Sequence, residues 1–120
     1  MKKLMAFDLD GTLLFDRAID PANVQAIHRW QQAGNIAVCA TGKSIFATKL
    51  ALDKTGVTFD YNVLYTGAVV TDAEYNILHA QTLSLEVVRA CYERFTKEPG
   101  VALFATTLTH DYRLADNVGS

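Results

Sequence analysis

The strongest structural signal in this chain is one octapeptide, Phe7-Asp8-Leu9-Asp10-Gly11-Thr12-Leu13-Leu14. It follows a short apolar run, so it stands where a buried strand is expected to end. Because side chains alternate between the two faces of a strand, Asp8 and Asp10 point the same way and Leu9 turns back towards the core. Gly11 permits the tight backbone turn that follows. The octapeptide therefore predicts a site with two neighbouring carboxylates. A simple Asp-Gly turn after an edge strand is the alternative interpretation.

The first half of the chain alternates between strands and helices. Residues 3–8 form a nearly continuous apolar run, which is typical of a parallel strand covered on both faces. Asp20 is placed to cap a helix with proline at its first position, and Ser44 to cap a second helix. Further strands are expected at 35–41 and 61–65. Right-handed crossovers of this length predict the α/β class, with a doubly wound, Rossmann-like sheet.

The pattern changes after the third strand. Two short apolar segments, 69–71 and 77–82, flank a polar stretch and predict a hairpin. Ser84 is placed to cap an amphipathic helix, and strands are expected at 101–106 and around 109–114. The change in connection type predicts two units, residues 1–66 and residues 67–120.

Composition excludes several classes of function. The 120 residues include 11 basic and 13 acidic side chains, giving a net charge of −2. No basic run exceeds Lys2 and Lys3, so nucleic acid is not an expected partner. No apolar stretch is long enough to span a bilayer and no signal peptide is recognisable, so we expect no membrane partner and a cytoplasmic location. Cys39 and Cys91 are isolated and predict buried, reduced thiols.

A second motif, Thr41-Gly42-Lys43, lies between the second predicted strand and the second helix. Free backbone N–H groups and the helix dipole favour an anion at such a place, so the motif predicts a phosphate site. A nucleotide-binding P-loop is excluded because the position five residues before Gly42 is Ala37, not glycine. A Thr41 hydroxyl that only caps the turn remains the simpler alternative.

The two motifs together resemble those of the haloacid dehalogenase-like phosphohydrolases. In that family the first Asp of Asp-x-Asp-Gly-Thr is the nucleophile and the second is a general acid/base. A Thr or Ser after the second core strand hydrogen-bonds the transferring phosphoryl group. The resemblance thus implies that Asp8 attacks phosphorus, that Asp10 moves protons, and that Thr41 binds the phosphoryl group.

The resemblance also implies a cofactor and a wider set of ligands. Mg²⁺ would be held by the side chain of Asp8 and the backbone carbonyl of Asp10, and it would offset the repulsion between carboxylate and phosphate. Close relatives usually carry Arg where this chain has Lys43, which offers one point charge instead of a planar fork. The implied phosphate-binding residues are Leu9, Gly11, Thr41, Gly42 and Lys43.

The segment 63–70 looks like the point where the Cof-type subclass, which includes sugar phosphatases, enters an inserted α/β cap. A small phosphorylated metabolite resembling a sugar phosphate is therefore the implied substrate. Complete family members return from the cap to supply a Lys and an acidic Gly-Asp pair. Asp111 and Asp116 do not follow Gly and are not expected to bind metal, so magnesium affinity should be weak.

The resemblance has a consequence for assembly as well. In the family's sheet the first strand lies between the second strand and strands from the later segment. The edge formed by residues 4–7 should therefore pair with another copy of the chain or with a complementing fragment.

Three hypotheses for function follow. The leading one is a magnesium-dependent phosphohydrolase that works through an aspartyl-phosphate, or the N-terminal portion of one. A non-catalytic remnant or interaction module that needs a partner segment is the alternative. A phospho-acceptor receiver domain fits less well, because its acceptor should end the third strand, where this chain has Tyr65 and Thr66.

Overall fold

The computed structural model describes residues 1–119. Strands and helices alternate through the first half of the chain, and short strands dominate the second half. In chain order the elements are β1 (Leu4–Phe7), β2 (Leu14–Phe15), β3 (Ala18–Ile19), α1 (Pro21–Gln32), β4 (Ile36–Ala40), α2 (Ile45–Leu52), β5 (Tyr61–Leu64), a 3-10 turn (Tyr65–Gly67), β6 (Val69–Asp72), β7 (Ile77–Ala80), α3 (Leu85–Phe95), β8 (Ala102–Thr106) and β9 (Asp111–Asp116).

Three parallel strands form the part of the sheet that carries the two motifs. β1 pairs with β4, with Phe7 opposite Cys39, and β4 pairs with β5, with Ala40 opposite Val63. The carboxyl ends of all three strands therefore lie at the same edge of the sheet. This arrangement confirms the predicted α/β class.

Each helix begins where a side chain caps it. In all three helices the side-chain oxygen of the residue before the first turn accepts a hydrogen bond from a backbone N–H of that turn, as the sequence predicted. The pairs are Asp20 with Ala22 (2.8 Å), Ser44 with Ala47 (3.0 Å) and Ser84 with Val87 (3.3 Å).

Within residues 1–119, no helix combines the length and apolar character needed to cross a membrane.

The main core lies around the octapeptide. Leu9 is fully buried and belongs to one cluster with Ile27 of α1, Leu52 of α2 and Phe59. Trp30 packs against this cluster and its indole N–H donates to the Ile36 carbonyl (2.8 Å). The first motif is thus anchored through Leu9, which fixes where its flanking carboxylates emerge.

The predicted hairpin forms, but it does not leave the sheet. β6 pairs antiparallel with β5, and β7 pairs antiparallel with β6, which gives the strand order β1-β4-β5-β6-β7. The boundary predicted between residues 66 and 67 therefore does not coincide with an edge of this sheet. The division into units 1–66 and 67–120 itself stays a prediction.

A short hairpin that the sequence did not predict follows the octapeptide. β2 and β3 pair antiparallel, with Leu14 opposite Ile19. Their turn places Asp16 at φ 51° and Arg17 at φ 64°, both in the left-handed region. Such two-residue turns normally carry Asn-Gly or Asp-Gly, and the absence of glycine hides this hairpin from sequence rules.

The last helix and strands form a more open layer. β8 and β9 make a separate two-stranded sheet, and no residue of α3 is buried. An apolar cavity of about 940 Å³ lies between α3, β8, β9 and the end of the main sheet. Cys91 lies on α3 and is exposed, so the prediction that both thiols are buried is wrong for Cys91 and right for Cys39.

Candidate active site

Asp8 and Asp10 emerge together at the end of β1. Asp8 directly follows the strand, both aspartates are exposed, and Leu9 between them is fully buried. The predicted burial of Leu9 between two exposed carboxylates is therefore confirmed, and the common direction of the two carboxylates stays a prediction. Gly11 adopts φ +77°, a conformation that L side chains rarely adopt, and this explains why glycine stands at the turn.

The octapeptide loop is closed by its own hydrogen bonds. The Leu9 carbonyl accepts from the backbone N–H groups of Thr12, Leu13 and Leu14, and the Gly11 N–H donates to the Leu14 carbonyl (3.0 Å). The Thr12 hydroxyl donates to Asp8 Oδ2 (3.4 Å). Sequence reasoning did not assign Thr12 a contact with Asp8, although Thr12 is part of the motif.

The second motif forms the loop between β4 and α2. The Thr41 N–H donates to the Val63 carbonyl (3.0 Å), which ties the loop to β5. The Thr41 hydroxyl accepts from the Lys43 N–H (3.2 Å). A hydroxyl that accepts one bond still carries its own O–H donor, so Thr41 can donate to an anion.

The residues after β5 hold this loop from the other side. The Tyr65 N–H donates to the Lys43 carbonyl (2.9 Å) and the Thr66 N–H donates to the Thr41 carbonyl (3.3 Å). Both residues are left-handed, with φ 52° and 57°. A Cβ on Gly42 would lie 3.2 Å from Thr66 Oγ1, a tight contact that a larger residue could make only if the Thr66 side chain shifted. No local sequence pattern predicts this contact.

One ion pair joins the two motifs. Lys43 Nζ lies 3.0 Å from Asp10 Oδ2. The Lys43 side chain is 25% exposed and that of Asp10 is 66% exposed. The β4–α2 loop thus reaches directly to the carboxylate at the end of β1.

A buried thiol reports the charge of Asp8. Burial, and then the nearby Asp8 carboxylate, raise the pKa of Cys39 on β4 to about 12. Both causes disfavour the thiolate, because burial penalises any charge and Asp8 repels a second negative one. The register of the sheet accounts for this proximity, because Phe7, the residue before Asp8, lies opposite Cys39.

The donor set of the site is compatible with Mg²⁺. The Asp8 carboxylate and the Asp10 backbone carbonyl offer the hard oxygen ligands that this ion prefers. Within residues 1–119 no group of three or more His, Cys, Asp or Glu side chains could hold a metal, so other coordination positions would fall to water or phosphate oxygens. Asp111 accepts from the Ser44 hydroxyl (3.0 Å) and Asp116 pairs with Arg113 (3.2 Å).

The structure places the predicted phosphate-binding residues on two adjacent loops. Thr41, Gly42 and Lys43 lie in the β4–α2 loop, and Leu9 and Gly11 lie in the loop after β1. The Gly11 N–H already donates to Leu14, and Lys43 already contacts Asp10. Contact of these residues with phosphate stays a prediction.

Comparison with known proteins gives the same family at the level of sequence and fold. The model of the haloacid dehalogenase-like hydrolase family matches residues 5–117. The HMP-PP phosphatase of Yersinia pestis (strain Pestoides F) is 37% identical over 89 residues, which cover 73% of this chain and 32% of that protein. The chain therefore spans about a third of the length of the curated relatives it matches.

Solved structures show the same fold. A hypothetical protein from Geobacillus kaustophilus superposes with a TM-score of 0.77 at 30% identity, covering 94% of this chain and 43% of that one. A haloacid dehalogenase-like hydrolase from B. subtilis superposes with a TM-score of 0.69 at 27% identity, covering 78% of this chain and 33% of that one. With both motifs at one sheet edge and a family match over most of its length, the chain belongs to the haloacid dehalogenase-like hydrolase family.

Proposed function

We propose that this protein is, or forms the N-terminal part of, a magnesium-dependent phosphatase that acts on a small phosphorylated metabolite. One observation carries the proposal. Asp8 and Asp10 are the exposed sequence neighbours of buried Leu9. Lys43 of the second motif contacts Asp10 at 3.0 Å. Two carboxylates beside a loop suited to an anion are what transfer of a phosphoryl group through an aspartate requires.

In the first step an oxygen of the Asp8 carboxylate attacks phosphorus. A bond forms between that oxygen and phosphorus, and the ester P–O bond to the substrate alcohol breaks. Asp10, in its protonated form, gives its proton to the departing alkoxide as general acid. The products are the free alcohol and an aspartyl-phosphate on Asp8.

In the second step water attacks the same phosphorus. Asp10, now a carboxylate, takes a proton from the water as general base. The bond between phosphorus and Asp8 breaks, which releases inorganic phosphate and restores the Asp8 carboxylate. Two easier displacements thus replace one difficult displacement.

The surrounding groups would hold the phosphoryl group during both steps. The Thr41 hydroxyl is the proposed donor to a phosphoryl oxygen, and the backbone of Gly42 and Lys43 lies just before the start of α2, where an anion is favoured. When bound to the Asp8 side chain and the Asp10 backbone carbonyl, Mg²⁺ would neutralise part of the charge between carboxylate and phosphate.

The substrate is proposed only as a class. One relative is named an HMP-PP phosphatase, and this name supports phosphatase activity for this chain. The sugar-phosphate-like substrate implied by the Cof-type resemblance remains the starting hypothesis. The cytoplasmic location expected from the sequence remains part of the proposal.

The proposal is tested by hydrolysis of p-nitrophenyl phosphate. We expect turnover that needs Mg²⁺ and that Asp8→Asn lowers by at least about 1,000-fold, because the variant cannot form the intermediate. Asp53→Asn, which changes an exposed aspartate at the end of α2, is the matched control and should retain the wild-type rate. Equal rates for wild type and Asp8→Asn would refute the proposal.

A non-catalytic role is the second candidate. It is favoured by the fact that the chain spans about a third of its curated relatives. In that case the protein would bind Mg²⁺ weakly but would release no phosphate from the ester. Activity that appears only after adding the later segment of a relative would identify the chain as a part that needs a partner.

A further inference from the structure

The contact between Lys43 and Asp10 calls for a role other than phosphate binding alone. The Asp10 side chain is two-thirds exposed, and its Oδ2 atom lies 3.0 Å from Lys43 Nζ. An exposed carboxylate without a partner samples several rotamers. A charged partner at this distance favours one of them.

Lys43 is well suited to fix that rotamer because its own backbone is held on both sides. Its N–H donates to the Thr41 hydroxyl (3.2 Å), and its carbonyl accepts from the Tyr65 N–H (2.9 Å). Its side chain is three-quarters buried, so little conformational freedom remains to be lost in the ion pair. The ammonium group therefore reaches Asp10 from a fixed point.

We propose that Lys43 is a positioning residue that fixes the side chain of Asp10 for its proton transfers, because the ammonium group can donate a hydrogen bond to Oδ2 both when Asp10 is a carboxylate and when it carries a proton on its other oxygen. The inference rests on the proposed function of Asp10 and adds a role for the second motif in it. Displacement of a reacting group by about 1 Å can cost about 100-fold in rate, so loss of the ion pair should impair the steps that need Asp10.

Two esters separate positioning from phosphate binding. The phosphorylation step of an alkyl phosphate needs a proton from Asp10, whereas p-nitrophenolate leaves without one. We expect Lys43→Met to lower kcat/KM about 100-fold for n-butyl phosphate, as loss of general acid catalysis does, and less than about 5-fold for p-nitrophenyl phosphate. Lys43→Arg, which keeps a cation, should restore most of the loss.

The matched control is Lys49→Met. Lys49 lies on α2 with its Nζ 5.1 Å from the centre of the Tyr75 ring, away from Asp10, so both esters should react at the wild-type rate. Equal losses for the two esters in Lys43→Met would indicate that Lys43 binds phosphate, and would overturn the proposal. Wild-type rates for both esters would overturn it too.

A measurement without turnover keeps this test independent of the proposed function. The ¹³Cγ resonance of Asp10, assigned by its loss in Asp10→Asn, should shift in Lys43→Met and not in Lys49→Met. If the wild type hydrolyses neither ester, the proposed function fails, and a shifted resonance still supports fixation of Asp10 by Lys43. An unshifted resonance in Lys43→Met would overturn the proposal whatever the activity.

Discussion

The pKa of the Cys39 thiol depends strongly on the residues around it. Its side chain is fully buried on β4, opposite Phe7 of β1, and lies close to the charge of Asp8. Burial and that charge raise the pKa of the thiol to about 12, from an ordinary value of 9.0. The thiol therefore stays protonated at neutral pH, and a protonated thiol is a poor nucleophile.

Cys39 is buried and Cys91 is exposed, so we expect the two thiols to react at very different rates. At pH 8 a disulfide reagent should modify exposed Cys91 quickly and buried Cys39 only after unfolding. Counting the reactive thiols of the native and the urea-unfolded protein tests this, and Cys91→Ser should leave no fast-reacting thiol in the native state. Modification of native Cys39 at the rate of an exposed thiol would contradict the assignment.

At the scale of the residue, the sequence was sufficient to find the carboxylates and not their partners. Polar and apolar residues alternate around Leu9 in the sequence itself, so the exposure of Asp8 and Asp10 could be predicted. The ion pair between Lys43 and Asp10 joins loops of different strands, and its existence depends on side-chain rotamers that no local pattern encodes.

At the scale of the element, local signals succeeded and non-local pairing was missed. Asp20, Ser44 and Ser84 cap their helices through atoms within three residues, so their positions could be inferred from sequence. The pairing of β6 with β5 joins the hairpin to the main sheet and has no local signature. The β2–β3 hairpin was missed because its turn uses residues that rarely adopt positive φ.

That turn yields a prediction for stability. Arg17 adopts φ 64°, which glycine tolerates without the steric cost that a side chain incurs. We expect Arg17→Gly to raise the free energy of unfolding by roughly 0.5–1 kcal/mol, measured by urea denaturation. Arg17→Ala removes the same side chain but keeps the strain, so it should give no such gain. A lower stability for Arg17→Gly would show that the turn is not strained.

Across the whole molecule, the main sheet ends at β1, and the outer side of this strand has no partner strand among the described residues. β1 lies at one end of the order β1-β4-β5-β6-β7, and Leu4 and Met5 are 62% and 45% exposed. An apolar strand with free backbone groups favours pairing with a further strand. A second copy of the chain, or a complementing fragment, remains the proposed partner at this edge.

The edge predicts self-association in the absence of such a fragment. Light scattering of the purified chain should show species larger than a monomer, with a population that rises with concentration. Leu4→Lys should weaken this association, because a charged residue on an edge strand opposes pairing. Leu50→Lys alters an equally exposed leucine on α2 and should have no effect. A monodisperse wild-type monomer would count against pairing at β1.

If Asp8 accepts the phosphoryl group, the aspartyl-phosphate can be trapped and located. Acetyl phosphate labelled with ³²P has a leaving group that needs no proton, so Asp10→Asn should still be phosphorylated but should lose the base that activates water. With Mg²⁺ present, we expect the Asp10→Asn variant to accumulate hydroxylamine-sensitive label on the peptide that contains Asp8. The double variant Asp8→Asn, Asp10→Asn should take up no label. Label on the double variant, or no label on Asp10→Asn, would show that Asp8 is not the phosphoryl acceptor.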